Sequence, residues 1–202
     1  MLDGLSEAEI RLVAEYFNLS EGNEHPLALW IIGRPAAGKT TTASLLQDVL
    51  RRAGYRVELV DGEAVRSILD GAYGFSVTDR LAVFKKYVHL NQILQSRGII
   101  PLTATIGGFR KFRDIVRSHL KNPRFIYLDC PFDVAAQRDQ KGYYDKALAG
   151  ELKNFFGVDI PFEPPIECEM RIDSATLRPS EIVARIMEYL NHVGLLRKIS
   201  GI

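Results

Sequence analysis

A phosphate-binding pattern lies near the start of the chain, where residues 33–40 are Gly-Arg-Pro-Ala-Ala-Gly-Lys-Thr and satisfy G-x-x-x-x-G-K-[ST]. The two glycines let the backbone wrap closely, so that several N–H groups point inward and bind phosphate oxygens. In this pattern Lys39 is expected to reach the β- and γ-phosphates of a nucleotide, and the Thr40 hydroxyl to ligate Mg²⁺. The pattern therefore predicts ATP and Mg²⁺ as cofactors. The predicted cofactor-binding residues of this loop are Gly33, Arg34, Pro35, Ala36, Ala37, Gly38, Lys39, Thr40 and Thr41.

A carboxylate ends the second apolar run of the chain, residues 56–61. Ligands of open α/β folds bind at the carboxyl ends of the strands, so we expect Asp61 to face the phosphate loop. Asp61 is suited to accept the proton of an attacking hydroxyl or to hold Mg²⁺ through water, and these roles stay open. A third interpretation is that Asp61 caps a helix over residues 63–70.

Basic and aromatic side chains recur between residues 66 and 113. Arginine suits bidentate recognition of phosphate or sulfate, and an aromatic ring can stack on a base. This mixture predicts a small anionic nucleotide as the phosphate acceptor. For Lys85, Lys86 and Arg113, a solvated helix charge is the more common role. The residues of this group are Arg66, Phe75, Arg80, Lys85, Lys86, Phe109, Arg110 and Arg113.

A segment rich in charge, residues 138–146, follows the fourth apolar run and contains Gly142. A lid of this kind can close over the phosphates and exclude water, which favours transfer to a hydroxyl over hydrolysis. Lys141 is the candidate lid cation. The alternative interpretation is an exposed charged loop.

Short apolar runs and helix-length segments alternate from Leu27 onward, as is typical of βαβ units in an α/β fold with a parallel sheet. Pro101 is expected at the beginning of its strand or at a bulge. We predict a kinase domain over 27–202, closed by a helix over 179–193, and an N-terminal helical extension over 1–26. The runs are 27–32, 56–61, 99–105, 124–129 and 168–173.

The composition is that of one globular domain: 202 residues, 47% hydrophobic and 25% charged. A net charge of +1 argues against a nucleic-acid partner, and no apolar run approaches the ~18 residues of a membrane span. Cys130 and Cys168 are too few for a disulfide framework, so we expect a cytoplasmic location. The four histidines lack metal-ligand spacing.

Several segments together resemble adenylylsulfate kinase, which uses MgATP to phosphorylate the 3′-hydroxyl of adenosine 5′-phosphosulfate. The resemblance implies a P-loop NTPase fold of the nucleoside-monophosphate-kinase type: three α/β/α layers, a mainly parallel five-stranded sheet and a lid. The apolar helices of the family are compatible with a homodimer. The matching segments are 33–41, 59–66, 73–80, 102–113 and, most specifically, 138–165.

The resemblance also implies roles for residues on the acceptor side. Arg66 and Arg80 would contact the anionic group or ribose of the acceptor. Its base would stack between Phe75 and Phe155, and the backbone of Ile106 would touch it.

On the ATP side, the resemblance implies that Asp61 is the catalytic carboxylate and that Lys39 and Lys141 take part in transfer. Lys141 would also contact the acceptor as a lid residue. Arg138 would border the adenine of ATP.

The chain departs from the family pattern around the acceptor. Ala64 and Val83 replace asparagines, and residues 106–108 are Ile-Gly-Gly instead of Ile-Ser-Pro. A lost hydrogen-bond partner costs on the order of 1–3 kcal/mol, enough to change which substrate is preferred. The expected activity is transfer to adenosine 5′-phosphosulfate, giving 3′-phosphoadenylylsulfate. The alternatives are a kinase for another nucleotide, such as cytidine diphosphoramidate, or a nucleotide-binding module without catalysis.

Overall fold

The computed structural model describes residues 27–62, 65, 69 and 73–196. The N-terminal extension, Arg66 and most of the helix expected over 63–70 therefore lie outside the described residues. The strands are β1 (Ala28–Gly33), β2 (Val57–Asp61), β3 (Ile100–Thr105), β4 (Pro123–Asp129) and β5 (Met170–Asp173). The main helices are α1 (Lys39–Arg52), α2 (Val77–Ser96), α3 (Arg110–His119), α4 (Phe132–Gln137), α5 (Tyr143–Leu148) and α6 (Pro179–His192).

The strands form one sheet in the order β2-β3-β1-β4-β5, and every neighbouring pair is parallel. Their carboxyl ends therefore meet at one edge. Gly33 pairs in register with Leu128, and Asp61 with Ala104. The predicted five-stranded parallel sheet is confirmed, and it brings the phosphate loop and Asp61 to the same edge.

Alternate residues of β1 face opposite sides of the sheet, because successive side chains of a strand point to opposite faces. Leu29 and Ile31 join a buried cluster with residues of α1 and α6. Trp30 and Ile32 join a second cluster with residues of α2 and α3. Burying one such side chain contributes about 1.5–3 kcal/mol, so both helical layers are held on the sheet by apolar packing. The three-layer α/β/α arrangement is confirmed.

The strands begin and end within two residues of the apolar runs that predicted them. Pro101 is the second residue of β3, which confirms its placement at the beginning of the strand. The closing helix over 179–193 is also confirmed, as α6. Residues 142–165 contain α5 and no strand of the sheet, as expected for a lid and a loop.

Helix α2 is fixed against β3 by a buried polar pair. The Asn91 side-chain amide donates to the Thr103 hydroxyl at 2.9 Å and to the Tyr87 carbonyl oxygen at 2.8 Å. Both Asn91 and Thr103 are fully buried, so breaking this pair would leave polar groups without partners. At its other end, α2 is capped by Ser76, whose hydroxyl accepts from the Asp79 backbone N–H at 3.1 Å. These contacts hold the helix beside the cavity described below.

Candidate nucleotide and acceptor site

The phosphate loop connects β1 to α1 through a tight turn in which Ala36 and Gly38 have left-handed φ angles of 58° and 88°. Gly33 has no room for a side chain, because a Cβ there would lie 2.7 Å from the Leu128 carbonyl oxygen. The turn places the backbone N–H groups of the loop at the N-terminus of α1, where the helix dipole also favours an anion. The predicted anion-binding loop is thus formed locally by its glycines and by the helix that follows.

Lys39 curls back over this loop. Its ammonium donates a hydrogen bond of 2.6 Å to the Arg34 carbonyl oxygen. Burial lowers the pKa of Lys39 to about 8 because the charged form loses hydration. A phosphate anion would favour the charged form again, so the ammonium is held where it can gain most from such a ligand.

The side chain of Arg34 points away from the loop. Its guanidinium lies over the Phe162 ring, 4.9 Å from the ring centre. A Cβ at Gly157 would come within 2.7 Å of one guanidinium nitrogen, so only glycine fits beside Arg34 without a shift. Within the predicted loop, Arg34 therefore contributes its backbone to the turn and its side chain to packing against the 157–162 segment.

Beside the phosphate loop lies a cavity of about 270 Å³, which we call the aromatic cavity. Lys39 lines it from the loop, and Gly62, next to Asp61, lines it from the end of β2. The cavity thus connects the phosphate-binding loop with an apolar, ring-lined space. Its aromatic lining residues are Phe75, Phe84, Tyr87, Phe112 and Phe156.

Three of the residues expected on the acceptor side, Phe75, Arg80 and Ile106, line the aromatic cavity. The Arg80 guanidinium donates to the backbone oxygens of Phe75 at 2.9 Å and of Asn154 at 2.6 Å. Its carbon lies 5.4 Å from the centre of the Phe75 ring. Arg80 therefore joins the start of α2 to the loop that follows α5.

Phe155 does not line the aromatic cavity, and its expected stacking on the acceptor base stays a prediction. It is 7% exposed and packs edge-on against Tyr144, with ring centres 4.9 Å apart. Its neighbour Phe156 lines the cavity instead. Asn154 has a left-handed φ of 61°, and the Asp159 carboxylate accepts from the backbone N–H groups of Asn154 and Phe155. This turn directs the two adjacent rings to different places.

The lid segment is anchored at its root and exposed at its tip. The Asp139 carboxylate accepts from the Tyr144 backbone N–H at 2.8 Å, and Arg138 donates to the Ser174 oxygen at 2.6 Å. Lys141 is exposed, and its ammonium lies 5.9 Å from the centre of the Tyr143 ring. The structure therefore brings Arg138 to the loop after β5 and does not bring Lys141 to the aromatic cavity.

Arg113 has a role that composition and spacing did not indicate. The solvated role expected for this side chain is wrong, because Arg113 is 6% exposed. It donates to the carbonyl oxygens of Gly107 at 2.7 Å and Glu163 at 2.9 Å. Burial lowers its pKa because the charge is desolvated. Arg113 thus joins the loop after β3 to the 162–165 segment beside the cavity.

The two residues expected to bind Mg²⁺, Thr40 and Asp61, lie at the edge of the sheet where the strands end. In the part of the chain that the structure describes, no group of three or more His, Cys, Asp and Glu side chains could hold an ion. Thr40 is exposed at the first turn of α1, and Asp61 is half-buried at the end of β2. Thr41 is exposed beside Thr40.

Four features of the structure define a P-loop kinase. The phosphate loop lies at the edge of a parallel sheet, and a carboxylate ends another strand at the same edge. Aromatic rings line the adjacent cavity, and a helical segment forms the lid. The sequence model of the family described as "Adenylylsulphate kinase" matches residues 25–173. The chain belongs to the adenylylsulphate kinase family and is an ATP-dependent kinase.

Individual relatives agree with this assignment. The chain is 39% identical to the adenylyl-sulfate kinase of Rippkaea orientalis over 174 residues, which are 85% of this chain and 95% of the relative. It is 34% identical to the adenylyl-sulfate kinase of Shewanella sp. over 175 residues, 86% of this chain and 85% of the relative.

Solved structures show the same fold. The Mycobacterium tuberculosis APS kinase in complex with AMPPNP and APS is 25% identical with a TM-score of 0.79, over 84% of this chain and 99% of that chain. Shikimate kinase from Aquifex aeolicus, at 18% identity and a TM-score of 0.54, shares the fold over 83% of this chain and 98% of its own. No helix in the described ranges is long and apolar enough to cross a membrane.

Proposed function

We propose that this chain transfers the γ-phosphate of ATP to the 3′-hydroxyl of adenosine 5′-phosphosulfate (APS), giving 3′-phosphoadenylylsulfate and ADP. The observation that carries the proposal is one continuous cavity that joins Lys39 of the phosphate loop to Arg80 and a set of aromatic rings. The acceptor consists of a flat base, a ribose and an anionic phosphosulfate group. Aromatic rings suit the base and arginine suits the anion.

Asp61 is proposed to orient the acceptor hydroxyl. Its strand position beside Gly62, which lines the aromatic cavity, supports this role. The Asp61 carboxylate would take the hydroxyl proton as the oxygen forms its bond to the γ-phosphorus and the bond to the β-phosphate oxygen breaks. The Lys39 ammonium would stabilise the negative charge on the transferring group.

Thr40 and Asp61 are proposed to hold Mg²⁺. When bound, the ion would neutralise charge on the β- and γ-phosphates. Mg²⁺ commonly takes one or two protein ligands and completes its shell with phosphate oxygens and water. The exposed Thr40 and the half-buried Asp61 would supply one or two protein ligands of this kind. The described residues contain no group of three or more His, Cys, Asp and Glu side chains that could hold an ion, which agrees with a site of few protein ligands.

The lid is proposed to carry Lys141 toward the phosphates when both substrates are bound. Lys141 is exposed, and the Asp139 carboxylate anchors the root of the lid by accepting from the Tyr144 backbone N–H. These two observations support a lid whose tip moves while its root stays in place. Closure would exclude water and so limit hydrolysis of ATP. Arg138 is proposed to border the adenine of ATP, together with the loop after β5 to which it is bonded.

A second candidate is a kinase for a different nucleotide acceptor. Val83 lines the aromatic cavity where the family resemblance places an asparagine, and it offers no hydrogen bond to a base edge. A base recognised mainly by stacking is less tightly specified than one recognised by hydrogen bonds. The expected contact between Arg66 and the anionic group of the acceptor stays a prediction.

The test is ATP-dependent phosphorylation by the purified protein with Mg²⁺, comparing APS with cytidine-, uridine- and guanosine-based acceptors. We expect saturable formation of 3′-phosphoadenylylsulfate, identified by mass, and loss of the product in Lys39→Ala. Turnover of another acceptor without turnover of APS would replace the proposed substrate by the second candidate. ATP hydrolysis that no acceptor changes would overturn both.

A further inference from the structure

Helix α3 begins without a cap of its own. Its N-cap residue, Phe109, has no side-chain oxygen, and its first turn carries Arg110, Lys111 and Arg113 but no acidic residue. The first N–H groups of a helix have no partner within the helix, and the positive end of the helix dipole disfavours nearby cations. The start of α3 therefore needs an acceptor, preferably an anionic one, from elsewhere in the chain.

Glu163 supplies this acceptor from the 162–165 segment. Its carboxylate accepts a hydrogen bond from the backbone N–H of Arg110, the first residue of α3. A carboxylate at this position satisfies one unpaired donor and also interacts favourably with the helix dipole. Glu163 thus performs for α3 the role that an N-cap side chain usually performs, although it lies 53 residues from Arg110 in the chain.

The backbone of Glu163 binds the turn that precedes α3. Its N–H donates to the Gly108 carbonyl oxygen at 2.8 Å, and its own carbonyl oxygen accepts from the Arg113 guanidinium at 2.9 Å. The same guanidinium donates to the Gly107 carbonyl oxygen at 2.7 Å. Two backbone bonds of Glu163 thus hold the same turn that its carboxylate caps.

The turn between β3 and α3 forms one side of the aromatic cavity. Ile106, Gly107 and Gly108 line the cavity, and so does Phe112 in the first turn of α3. The phosphate loop, which carries Lys39, is positioned by β1 and α1 instead. A shift at the start of α3 would therefore move a wall of the cavity and leave the phosphate loop in place.

The segment that carries Glu163 is itself anchored. The preceding residue, Phe162, is 9% exposed and stacks on Tyr127 of β4, with ring centres 6.1 Å apart. The Arg34 guanidinium lies over the other contact of this ring, 4.9 Å from its centre. Glu163 therefore extends from a fixed point on the sheet, and its carboxylate can hold the turn in one position.

We propose that Glu163 is a positioning residue for the acceptor: by accepting from the Arg110 N–H, its carboxylate holds the turn between β3 and α3 at the side of the aromatic cavity. This inference rests on the proposed function. Glu163 acts through the turn, so its effect falls on acceptor binding. The chemical step and ATP binding depend on other residues, Asp61 and Lys39 among them.

The experiment measures kcat and KM for APS and for ATP in Glu163→Ala and Glu163→Gln. Alanine removes the side-chain acceptor but keeps both backbone bonds of residue 163. We expect the KM for APS to rise about threefold to tenfold, with kcat and the KM for ATP within about twofold of wild type. Glutamine keeps an oxygen that can accept from the Arg110 N–H, so it should return the KM for APS to within about twofold of wild type.

Glu167→Ala is the matched control. Glu167 is an exposed carboxylate four residues further along the chain, and its loss should leave both KM values within about twofold of wild type. Circular dichroism and thermal melting identify any loss of fold, and Glu163→Ala should lower the melting temperature by only about 2–4 °C.

Three results would each overturn this inference alone while wild type turns over APS. They are an unchanged KM for APS in Glu163→Ala, an equal rise in the KM for APS and for ATP, and a Glu163→Gln variant no better than Glu163→Ala. Absence of APS turnover by wild type would overturn the proposed function, and the inference with it.

Discussion

The Tyr144 hydroxyl donates a hydrogen bond of 3.0 Å to the carbonyl oxygen of Pro35, and so joins the lid helix α5 to the phosphate loop. Tyr144 is 1% exposed and packs edge-on against both Phe132 and Phe155. Burial raises the pKa of Tyr144 to about 12, so the hydroxyl keeps its proton as a donor at physiological pH. The root of the lid therefore belongs to the core, and it contacts the loop that would receive ATP.

Tyr144→Phe removes this bond and leaves the ring packing in place. We expect the free energy of unfolding to fall by about 1 kcal/mol, the usual net value of one hydrogen bond. The KM for ATP should rise a few-fold, because the Pro35 carbonyl is no longer held. Urea unfolding and ATP kinetics measure both effects. Tyr143→Phe, on the exposed neighbour, should leave stability within about 0.5 kcal/mol of wild type.

Lys39→Met should abolish phosphate transfer and yet stabilise the ligand-free protein at pH 7. Burial lowers the pKa of Lys39 from 10.5 in the unfolded chain to about 8, so folding opposes its charged form. We expect a gain of about 1 kcal/mol. The expected gain is smaller than the lowered pKa of Lys39 alone would give, because the side chain is partly exposed and the variant loses the hydrogen bond to the Arg34 carbonyl oxygen.

The pH dependence of the free energy of unfolding provides a control for the Lys39→Met prediction. Between pH 8 and 10.5 the unfolded wild-type chain binds more protons at Lys39 than the folded chain does. The contribution of Lys39 therefore makes the free energy of unfolding rise with pH in that range. The rise should be smaller in Lys39→Met, as measured by urea unfolding at pH 8 and pH 10. Equal slopes in the two proteins would show that Lys39 is not desolvated.

The sequence was sufficient to predict the phosphate loop and the sheet because both depend on local patterns. The glycines of 33–38 determine a turn between a strand and a helix, and apolar runs determine buried parallel strands. Asp61 could be placed at the sheet edge for the same reason: the carboxyl ends of parallel strands meet there.

The rest of the site depends on turns and tertiary contacts that residue types do not encode. Phe155 and Phe156 are chemically identical neighbours, and only Phe156 lines the cavity. The turn before them has a left-handed residue, Asn154, and the Asp159 carboxylate accepts from the backbone N–H groups of Asn154 and Phe155. Arg113 has the spacing of a surface charge, but two backbone oxygens from distant loops make its burial possible. Lys141 lies on a lid whose position depends on bound substrates under the proposed function.

Asp61→Asn tests the proposed proton acceptor. We expect kcat to fall by about 10²- to 10⁴-fold, because an amide does not take the hydroxyl proton, while ATP still binds with a KM within a few-fold of wild type. Glu58→Gln is the control on the same strand: Glu58 pairs with Arg51 of α1 at 2.8 Å, so its loss should leave kcat unchanged. A wild-type kcat in Asp61→Asn would move the base role to another group.

Arg113→Met tests whether a buried arginine holds the cavity loops together. The change keeps much of the side-chain volume but leaves the Gly107 and Glu163 oxygens without their donor, so we expect a loss of about 2–3 kcal/mol in the free energy of unfolding. The KM for APS should rise more than the KM for ATP, because the loosened loop carries Ile106 and Gly108, which line the aromatic cavity. Lys111→Met, on an exposed position of the same helix, is the matched control and should stay within about 0.5 kcal/mol of wild type. If Arg113→Met is as stable as Lys111→Met, water replaces the guanidinium without cost and the loops are held by their apolar contacts.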